Sequence, residues 1–284
     1  MKQFIYSFEN EVNATIKKYK LLKKNEKTLV ACSGGKDSIT VLYILNKLGY
    51  NPEALIIDLH IGKYSDDNLK NLKQVCKEQG IKLHVVSIRK EFGCTPCYAK
   101  SLINSKGMNL SSCSICGIMK RYMLNKKARE LGANKIATGH NLDDEAQTVL
   151  MNFFTCNVDA GLNTGPSTGV IKDKKFVQRV KPLFFSKESD VRKYSEAMNF
   201  PVIYDNCPCS TGSFRHEIKD KINQLEKDYP GTKINLVESF LKTVSEIRKN
   251  IPKGALKICK KCKEPTRNEK CSVCELFGKI KGFK

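Results

Sequence analysis

Residues 28–38 read Thr-Leu-Val-Ala-Cys-Ser-Gly-Gly-Lys-Asp-Ser, and this stretch decides the fold. The apolar run at 28–32 predicts a buried strand. Between Ile39 and Leu48 the apolar residues recur at helical spacing, and Gly49 supplies a stop for the helix. A strand, a glycine-rich turn and a helix in this order place the unpaired N–H groups of the helix start at the turn. The stretch therefore predicts an anion-binding site.

The turn carries the groups that a di- or triphosphate requires. Its members are Ser33, Gly34, Gly35, Lys36, Asp37 and Ser38. The glycines let backbone N–H groups approach a ligand, the lysine adds a mobile positive charge, and the serines add hydroxyl groups. It is not a Walker A loop, because Val30 and Asp37 stand where that motif needs Gly and Ser or Thr. The turn resembles the pyrophosphate loop of the PP-loop ATPases, which adenylate a substrate. The alternative is a glycine turn that binds no ligand, and the match of six consecutive residues disfavours it.

Beyond this stretch, strand-like and helix-like patterns alternate. Buried strands are expected at 54–60, 83–88 and 135–138, and amphipathic helices at 65–79 and 119–131. This alternation predicts an α/β fold with a doubly wound parallel sheet. Ligands bind such sheets at the carboxyl ends of the strands, so we expect Ala31, residues 58–60 and the turn after Ala137 to face one crevice.

The other segments are expected to be additions to this sheet. They comprise a helix at 4–22, a polar loop at 90–116, a helix running to Phe154, a mobile basic loop at 161–175, helices within 182–200 and 214–251, and a strand at 201–204. The chain accordingly divides into an N-terminal helix (1–25), a catalytic domain (26–210), a helical extension (211–254) and a zinc-binding module (255–284).

The charge of the chain indicates its class of partner. It has 50 Lys and Arg against 29 Asp and Glu, a formal net charge of +21. This excess favours a polyanionic partner, because each phosphate contact made by Lys or Arg releases counterions. An anionic membrane surface is the weaker alternative, since the chain has no run of about 18 apolar residues. Residues 1–10 lack the apolar core of a signal peptide, so we expect a cytoplasmic protein.

Thirteen cysteines in a reducing cytoplasm favour metal binding or catalysis over disulfides, and eight of them form four C-x-x-C pairs. The two pairs nearest the C-terminus, eight residues apart, have the spacing of a closed zinc site. They are Cys259, Cys262, Cys271 and Cys274. The surrounding 30 residues contain too few apolar side chains for a core, so a bound zinc is expected to fold them.

The pair Cys113 and Cys116 directly precedes a predicted helix. A helix N-terminus and the basic residues that follow lower thiol pKa values, which favours thiolates that act as nucleophiles or soft ligands. The alternative is a structural zinc site that these two cysteines complete with Cys94 and Cys97.

An acidic turn follows the strand at 135–138. Asp143 and Asp144 stand at the start of a helix beside the predicted crevice, where a carboxylate pair can hold Mg²⁺ against nucleotide phosphates or cap the helix. His140 precedes them, and either a local hydrogen bond or catalysis accounts for it.

Five motifs now stand in order along nearly the whole chain. They lie at 33–38, 113–121, 139–148, 179–183 and in the cysteine quartet of 259–274. In this order they resemble the TtcA/TtuA family of tRNA 2-thiouridine synthetases, and most of all its archaeal TtuA and wobble-uridine thiolase branch. The resemblance implies an ATP-dependent sulfurtransferase that adenylates the C2 oxygen of a tRNA uridine and replaces this oxygen with sulfur.

The same resemblance implies a set of catalytic residues. Three cysteines would hold a 4Fe-4S cluster with one iron open to sulfide, namely Cys113, Cys116 and Cys207. Cys209 leaves the third ligand ambiguous. Lys120 matches a lysine at the active site of the family, and Asp144 matches a catalytic or nucleotide-site aspartate.

The resemblance also implies the nucleotide site and the partners. Adenine would lie against the backbone of Leu59 and His60, while Ala31 and Gly139 would line the nucleotide and Mg²⁺ would accompany its phosphates. Sulfur would come from inorganic sulfide or from the C-terminal thiocarboxylate of a ubiquitin-like carrier. A homodimer is expected, because the family is often dimeric.

Three alternatives stay open at this point. The first keeps the adenylation but uses a persulfide on Cys113 or Cys207 in place of a cluster. The second is an amide-forming ligase of the lysidine type that acts on tRNA, which has no need of several thiolates. The third is a zinc-dependent RNA-binding protein with a vestigial ATP site.

Overall fold

A computed structural model describes residues 1–168, 175–210, 214–250, 257–266 and 268–278. The strands of its main sheet are β1 (Thr28–Cys32), β2 (Glu53–Asp58), β3 (Leu83–Ser87), β4 (Lys135–Thr138) and β5 (Gln178–Val180). They pair in the order β3-β2-β1-β4-β5, and every pair is parallel. This sheet confirms the predicted α/β architecture, and it places β1, with the glycine-rich turn behind it, at the centre.

Helices follow the strands along the chain. They are α1 (Lys2–Lys18), α2 (Lys36–Lys47), α3 (Gly62–Glu78), α4 (Ile88–Phe92), α5 (Pro96–Asn104), α6 (Ser112–Glu130), α7 (Leu142–Phe154), α8 (Val158–Gly161), α9 (Glu188–Ala197), α10 (Phe214–Asp228), α11 (Thr232–Asn250) and α12 (Ser272–Phe277). Two short strands, β6 (Lys257–Ile258) and β7 (Pro265–Thr266), form a separate antiparallel hairpin.

Helices cover both faces of the main sheet because neighbouring residues of a strand point to opposite sides. In β1, Val30 packs into an apolar cluster with α1, α2, α3 and α9. Leu29 packs into a second cluster with α5, α6 and the C-terminal cysteine segment. A third, smaller cluster joins α7, α10 and α11. The sheet is therefore doubly wound, as predicted.

The N-terminal helix packs on the sheet domain. Phe8, Val12 and Ile16 are buried along one face of α1. On the same helix Glu9, only 8% exposed, accepts hydrogen bonds from Tyr194 Oη at 2.7 Å and from Lys47 Nζ at 2.7 Å. The helix predicted at 4–22 is thus confirmed in type, while the division of the chain into four parts stays a prediction.

The loop predicted at 90–116 is wrong, because this segment contains α5 and the first turn of α6. Local caps start both helices. Thr95 Oγ1 accepts from the Tyr98 N–H, with Pro96 in the first turn, and Ser111 Oγ accepts from the Ser114 N–H. Polar and cysteine residues interrupt the apolar periodicity of these turns, so the periodicity did not predict helices. The capping residues Thr95 and Ser111, however, can be recognised in the sequence.

Other local predictions also differ from the structure. Residues 201–204 form no strand; instead Tyr204 Oη lies 3.1 Å from Ser195 Oγ, and the segment runs past α9. The helix predicted within 182–200 covers only Glu188–Ala197, and β5 was not predicted at all because it has three residues. Of the loop predicted at 161–175, residues 169–174 lie outside the described residues.

The C-terminal cysteine segment docks on α6. The Phe277 and Phe92 rings stack with centroids 5.4 Å apart. Arg129 of α6 donates from Nη1 to Glu264 Oε2 at 2.9 Å, and Glu264 is 7% exposed. The ring stacking ties the segment to α4, and the Arg129 contact ties it to α6, whose opposite end bears Cys113. Within the described ranges, no helix is long and apolar enough to cross a membrane.

Candidate active site

The glycine-rich turn joins β1 to α2 at the carboxyl edge of the sheet. Gly34 has φ +84°, and a Cβ there would lie 2.6 Å from Asn68 Cβ. Gly35 has φ −82°, and a Cβ there would meet only Ser33 Oγ at 3.5 Å. Gly34 is therefore required by the fold, whereas the space beside Gly35 stays open to a ligand.

Hydroxyl groups brace the turn. Ser38 Oγ accepts from the Ser33 N–H at 3.2 Å and donates to the Gly35 carbonyl at 3.0 Å. Among the described residues no side chain caps the start of α2, so its first N–H groups remain open to an anion. The structure thus gives Ser38 a bracing role where the sequence suggested phosphate contact.

Carboxylates hold the lysine of the turn. Lys36 Nζ lies 3.1 Å from Asp37 Oδ2 and 3.2 Å from Glu188 Oε1, while Glu188 Oε2 also pairs with Lys219 Nζ at 2.8 Å. Burial acts to lower the pKa of Lys36, but Asp37 and Glu188 outweigh it and raise this pKa. Lys36 is therefore charged and already positioned over the turn.

The acidic turn at the start of α7 separates its two aspartates. Asn141 and Asp144 form a reciprocal cap: Asn141 Oδ1 accepts from the Asp144 N–H at 3.1 Å, and Asp144 Oδ2 accepts from the Asn141 N–H at 3.3 Å. Asn141 Nδ2 donates to Asp37 Oδ1 at 3.0 Å. Asp143 instead turns away to an ion pair with Lys233. The structure therefore brings Asp144 together with Asp37, and the expected pairing of Asp143 with Asp144 is wrong.

The protonation of these groups follows from their surroundings. Burial raises the pKa of Asp144, although Arg215, 3.6 Å away, acts against it. Burial also raises the pKa of Asp37, which Lys36 opposes. Because burial raises both pKa values, a bound divalent cation would offset both shifts.

His140 serves as a local hydrogen-bonding group. Its Nδ1 lies 2.9 Å from Thr138 Oγ1. Although the ring reaches solvent, desolvation by the protein around it and the nearby cations, led by Lys181 and Arg215, lower the pKa of His140 to about 3. The imidazole is therefore neutral, which favours the local hydrogen bond over acid–base catalysis.

One open cavity of about 690 Å³ joins the turn to the thiols. Of the predicted residues its wall contains Ser33, Gly35, Lys36, Asp37, Cys113, Asp144 and Cys207. Cys113 stands in the first turn of α6, and Cys207 comes from the loop after α9. The other nucleotide-site residues lie on the sheet: Ala31 and Leu59 pack against the cluster that contains Leu29, and His60 Nε2 lies 2.7 Å from Ser87 Oγ. Gly139 packs on the turn, where a Cβ would lie 2.8 Å from the backbone of Asp37 and Ser38.

The thiols near the cavity influence one another. Burial raises the pKa of Cys116, Lys120 acts to lower it, and the thiols of Cys207, Cys113 and Cys97 raise it further. Cys113, Cys207 and Lys120 therefore lie in the neighbourhood of Cys116. The lowered thiol pKa that the sequence predicted at this helix start is wrong for Cys116, because burial outweighs the nearby lysine. That Cys113, Cys116 and Cys207 together hold an iron cluster stays a prediction.

The alternative zinc site with Cys94 and Cys97 is not formed. Cys94 is buried in the apolar cluster with Ile115, whereas Cys97 is exposed and its Sγ lies 3.3 Å from Cys209 Sγ. In the described part of the chain, the ligand atoms of three or more Cys, His, Asp or Glu residues come within 4.8 Å of one another only in the C-terminal quartet.

That quartet, Cys259, Cys262, Cys271 and Cys274, has the arrangement of a closed metal site. Cys259 Sγ accepts from the Cys271 N–H at 3.3 Å. Burial opposes ionisation of Cys259, but backbone N–H groups, led by those of Cys262 and Cys271, lower its pKa to about 6. Burial raises the pKa of Cys271 to about 11 and also raises that of Cys274, shifts that a bound cation would offset. The predicted metal-binding quartet is consistent with this geometry.

Sequence reasoning missed two groups of the cavity. Glu188, which holds Lys36, had no local signal because its partner lies 152 residues away. Arg215 and Lys219 also line the cavity, and their i,i+4 spacing at the start of a predicted helix was a usable sign of a basic face.

A parallel sheet whose central strand leads into a Ser-Gly-Gly-Lys turn defines a nucleotide-binding α/β protein. Sequence comparison matches residues 6–226 to the PP-loop domain family. The tRNA-5-methyluridine(54) 2-sulfurtransferase of Pyrococcus horikoshii is 39% identical over 271 residues, which cover 95% of this chain and 84% of the relative. The cytoplasmic tRNA 2-thiolation protein 1 of Caenorhabditis elegans is 31% identical over 96% of this chain and 73% of the relative.

A solved structure gives the same relationship. The U34-tRNA thiolase NcsA from Methanococcus maripaludis, determined with its 4Fe-4S cluster, superposes with a TM-score of 0.81 at 31% identity, covering 98% of this chain and 89% of that one. The chain belongs to the PP-loop domain family and, within it, to the TtcA/TtuA group of tRNA 2-thiouridine synthetases. This membership confirms the family resemblance from which we predicted the site residues. The role of each of these residues stays a prediction.

Proposed function

We propose that this protein is an ATP-dependent tRNA uridine 2-sulfurtransferase. The observation that carries the proposal is the single cavity whose wall contains both the phosphate-binding turn, with Lys36, and the thiols Cys113 and Cys207. Activation by a nucleotide and delivery of sulfur require these two sets of groups within reach of one substrate atom.

The first step is adenylation. The C2 oxygen of the uridine attacks the α-phosphorus of ATP, the bond to the bridging oxygen breaks, and pyrophosphate leaves. The open N–H groups at the start of α2 and the Lys36 ammonium bind the departing pyrophosphate. Asp37 and Asp144 would hold Mg²⁺, which would supply positive charge for the nucleotide phosphates, and Arg215 beside Asp144 adds positive charge of its own.

The second step replaces oxygen with sulfur. Sulfide attacks C2, the C2–O bond breaks, and AMP leaves with the oxygen. Cys113, Cys116 and Cys207 would hold a 4Fe-4S cluster, which would supply Lewis-acid binding and activation of sulfide as the nucleophile. Lys120, whose charge acts on Cys116, stabilises the negative charge that develops beside it.

The remaining residues serve substrate and stability. The net charge of +21, with Arg215 and Lys219 in the cavity wall, favours a tRNA backbone as the ligand. The C-terminal quartet binds a structural Zn²⁺. Sulfur comes from inorganic sulfide or a ubiquitin-like carrier, and the protein acts in the cytoplasm as a homodimer.

The test is thiolation of unmodified tRNA by anaerobically purified protein with ATP, Mg²⁺ and inorganic sulfide, read as 2-thiouridine by nucleoside mass spectrometry. Asp144→Asn should lower the rate by about 100-fold or more, because it misplaces the phosphates. The exposed Asp159 offers a matched control, and Asp159→Asn should retain full activity. Full activity in Asp144→Asn would refute the assigned role.

Metal analysis tests the ligands separately from activity. Cys113→Ala should lose iron and the absorbance near 400 nm while the metal of the C-terminal quartet persists. Wild-type protein without iron that thiolates tRNA from a persulfide donor, and not from inorganic sulfide, would instead favour the persulfide route. Sequencing the modified position in the tRNA product would identify the uridine.

A further inference from the structure

Two thiols beside the proposed cluster ligands have no role in this reaction. Cys97 stands in the first turn of α5, and Cys209 lies in the loop after α9. Although 112 residues separate them in the chain, their Sγ atoms are 3.3 Å apart. Because a disulfide needs about 2.05 Å between sulfurs, a displacement of little more than 1 Å would join them.

The two thiols differ in access. Cys97 is exposed, whereas Cys209 is half-buried. The backbone oxygen of Cys209 accepts a hydrogen bond from Cys113 Sγ at 3.7 Å, so Cys209 adjoins a thiol of the cavity wall. Because Cys97 is open to solvent and Cys209 lies nearer the reaction site, we expect sulfur to enter the pair at Cys97 and to leave it at Cys209.

We propose that Cys97 and Cys209 form a sulfur-releasing dithiol, in which Cys97 accepts sulfane sulfur from a persulfide donor and Cys209 releases this sulfur as sulfide at the cavity. The proposal rests on the proposed function, because it assigns a source to the sulfide that the thiolation consumes. It adds persulfides to the chemical classes of donor that the protein can use.

The chemistry balances in three exchanges. The Cys97 thiolate attacks the outer sulfur of a donor R–S–SH, the donor S–S bond breaks, and R–SH leaves. The Cys209 thiolate then attacks Cys97 Sγ, the bond from Cys97 Sγ to the outer sulfur breaks, HS⁻ leaves, and a Cys97–Cys209 disulfide forms. A low-molecular-weight dithiol reduces this disulfide and is itself oxidised to a disulfide.

Among the described cysteines that we assign to no metal site, exposure and proximity favour this pair. Cys94, the other cysteine of the same C-x-x-C pair, is 3% exposed in an apolar cluster and has no access to a donor. Cys156 is exposed, and in the described residues no other Sγ is recorded in contact with it. Cys156 therefore serves as a matched control: it can react with a donor but has no partner to release sulfide.

The experiment gives the anaerobic holoprotein one equivalent of glutathione persulfide without reductant, then measures free sulfide and maps the peptides. Wild-type protein should release close to one sulfide and link the tryptic peptides 91–100 and 194–215. Cys209→Ser should release at least tenfold less sulfide and retain one extra sulfur on peptide 91–100. Cys97→Ser should show neither product, and Cys156→Ser should match wild type.

Three outcomes would overturn the proposal. They are equal sulfide release by wild type and Cys97→Ser, the absence of the cross-linked peptides in wild type, and loss of iron in Cys209→Ser, which would make Cys209 a cluster ligand.

Thiolation fed with inorganic sulfide distinguishes this failure from failure of the proposed function. Sulfide bypasses the pair, so Cys97→Ser and Cys209→Ser should thiolate tRNA at the wild-type rate, which also shows that both variants fold. The opposite result is also informative. If neither wild type nor any variant thiolates tRNA from sulfide, but wild type still releases sulfide from the persulfide through Cys97, the proposed function fails and the proposed sulfur-releasing dithiol is supported.

Discussion

Replacing Gly35 with alanine should weaken nucleotide binding and leave the fold intact, whereas replacing its neighbour Gly34 should destabilise the fold itself. At Gly35 the backbone has an ordinary φ of −82°, and the new Cβ would meet only Ser33 Oγ at 3.5 Å. At Gly34 the φ is +84° and the new Cβ would lie 2.6 Å from Asn68 Cβ and 2.7 Å from the Asn68 carbonyl oxygen. Those atoms are rigid, so the turn or α3 must move.

The magnitudes follow from these contacts. Overpacking and a left-handed backbone together cost Gly34→Ala about 2–5 kcal/mol, which lowers the Tm by roughly 5–15 °C. Gly35→Ala costs at most about 1 kcal/mol, because alanine is only a poorer helix cap than glycine. Its methyl group instead blocks the approach of phosphate to the N–H groups of α2. Losing one such charge-assisted hydrogen bond, about 1.5–3 kcal/mol, weakens ATP binding at least about tenfold.

Thermal unfolding with and without Mg·ATP measures both effects. Wild-type protein should gain stability from the nucleotide, and Gly35→Ala should unfold near the wild-type temperature but gain little from it. Gly34→Ala should unfold early even without nucleotide. The reasoning is refuted if Gly34→Ala is as stable as Gly35→Ala, or if Gly35→Ala binds ATP as tightly as wild type.

Three further outcomes are expected. Tyr194→Phe removes the buried hydroxyl that donates to Glu9 at 2.7 Å, so it should cost about 1.5–3 kcal/mol in chemical denaturation, while Phe at the exposed Tyr6 should cost nothing measurable. Although burial opposes the ionisation of Glu188, Lys219 and Lys36 lower its pKa. The Glu188 carboxylate therefore stabilises the fold above the unfolded pKa of about 4.3, and this stabilisation is lost as pH falls through the folded pKa. The difference in unfolding free energy between wild type and Glu188→Gln should accordingly shrink when measured from pH 6 to pH 4. Cys274→Ser, or removal of metal by a chelator, should release the C-terminal segment from α6 and expose it to trypsin, as limited proteolysis would detect.

Each of these three predictions would be contradicted by one specific result. Equal stability of Tyr194→Phe and wild type would mean that Glu9 finds another donor. A Glu188→Gln difference that grows toward pH 4 would reverse the assigned direction of the pKa. A C-terminal segment that resists trypsin after metal removal would show that apolar docking alone holds it.

Much of the fold could be predicted from the sequence because its signals are local. The strand at 28–32, the turn behind it and α2 are specified within about 20 consecutive residues by apolar spacing and two glycines. The C-terminal quartet is recognisable for the same reason, since a closed metal site is defined by ligand spacing. The prediction at 90–116 was wrong because polar residues interrupt the apolar periodicity there. The prediction at 201–204 was wrong because hydrogen-bond pairing, rather than residue type, decides whether a strand forms.

The sequence by itself determined the alternation of strands and helices around the central strand, the glycine-rich turn and the metal-site spacing of the last four cysteines. Only the tertiary structure decided which side chains meet at the site. It paired Lys36 with Glu188, turned Asp143 away from Asp144, and set Cys97 against Cys209. Each of these contacts joins elements that the sheet and its helices bring together from distant parts of the chain. Local patterns record backbone propensity and burial, and they contain no information on which distant partner a charged or thiol group will face.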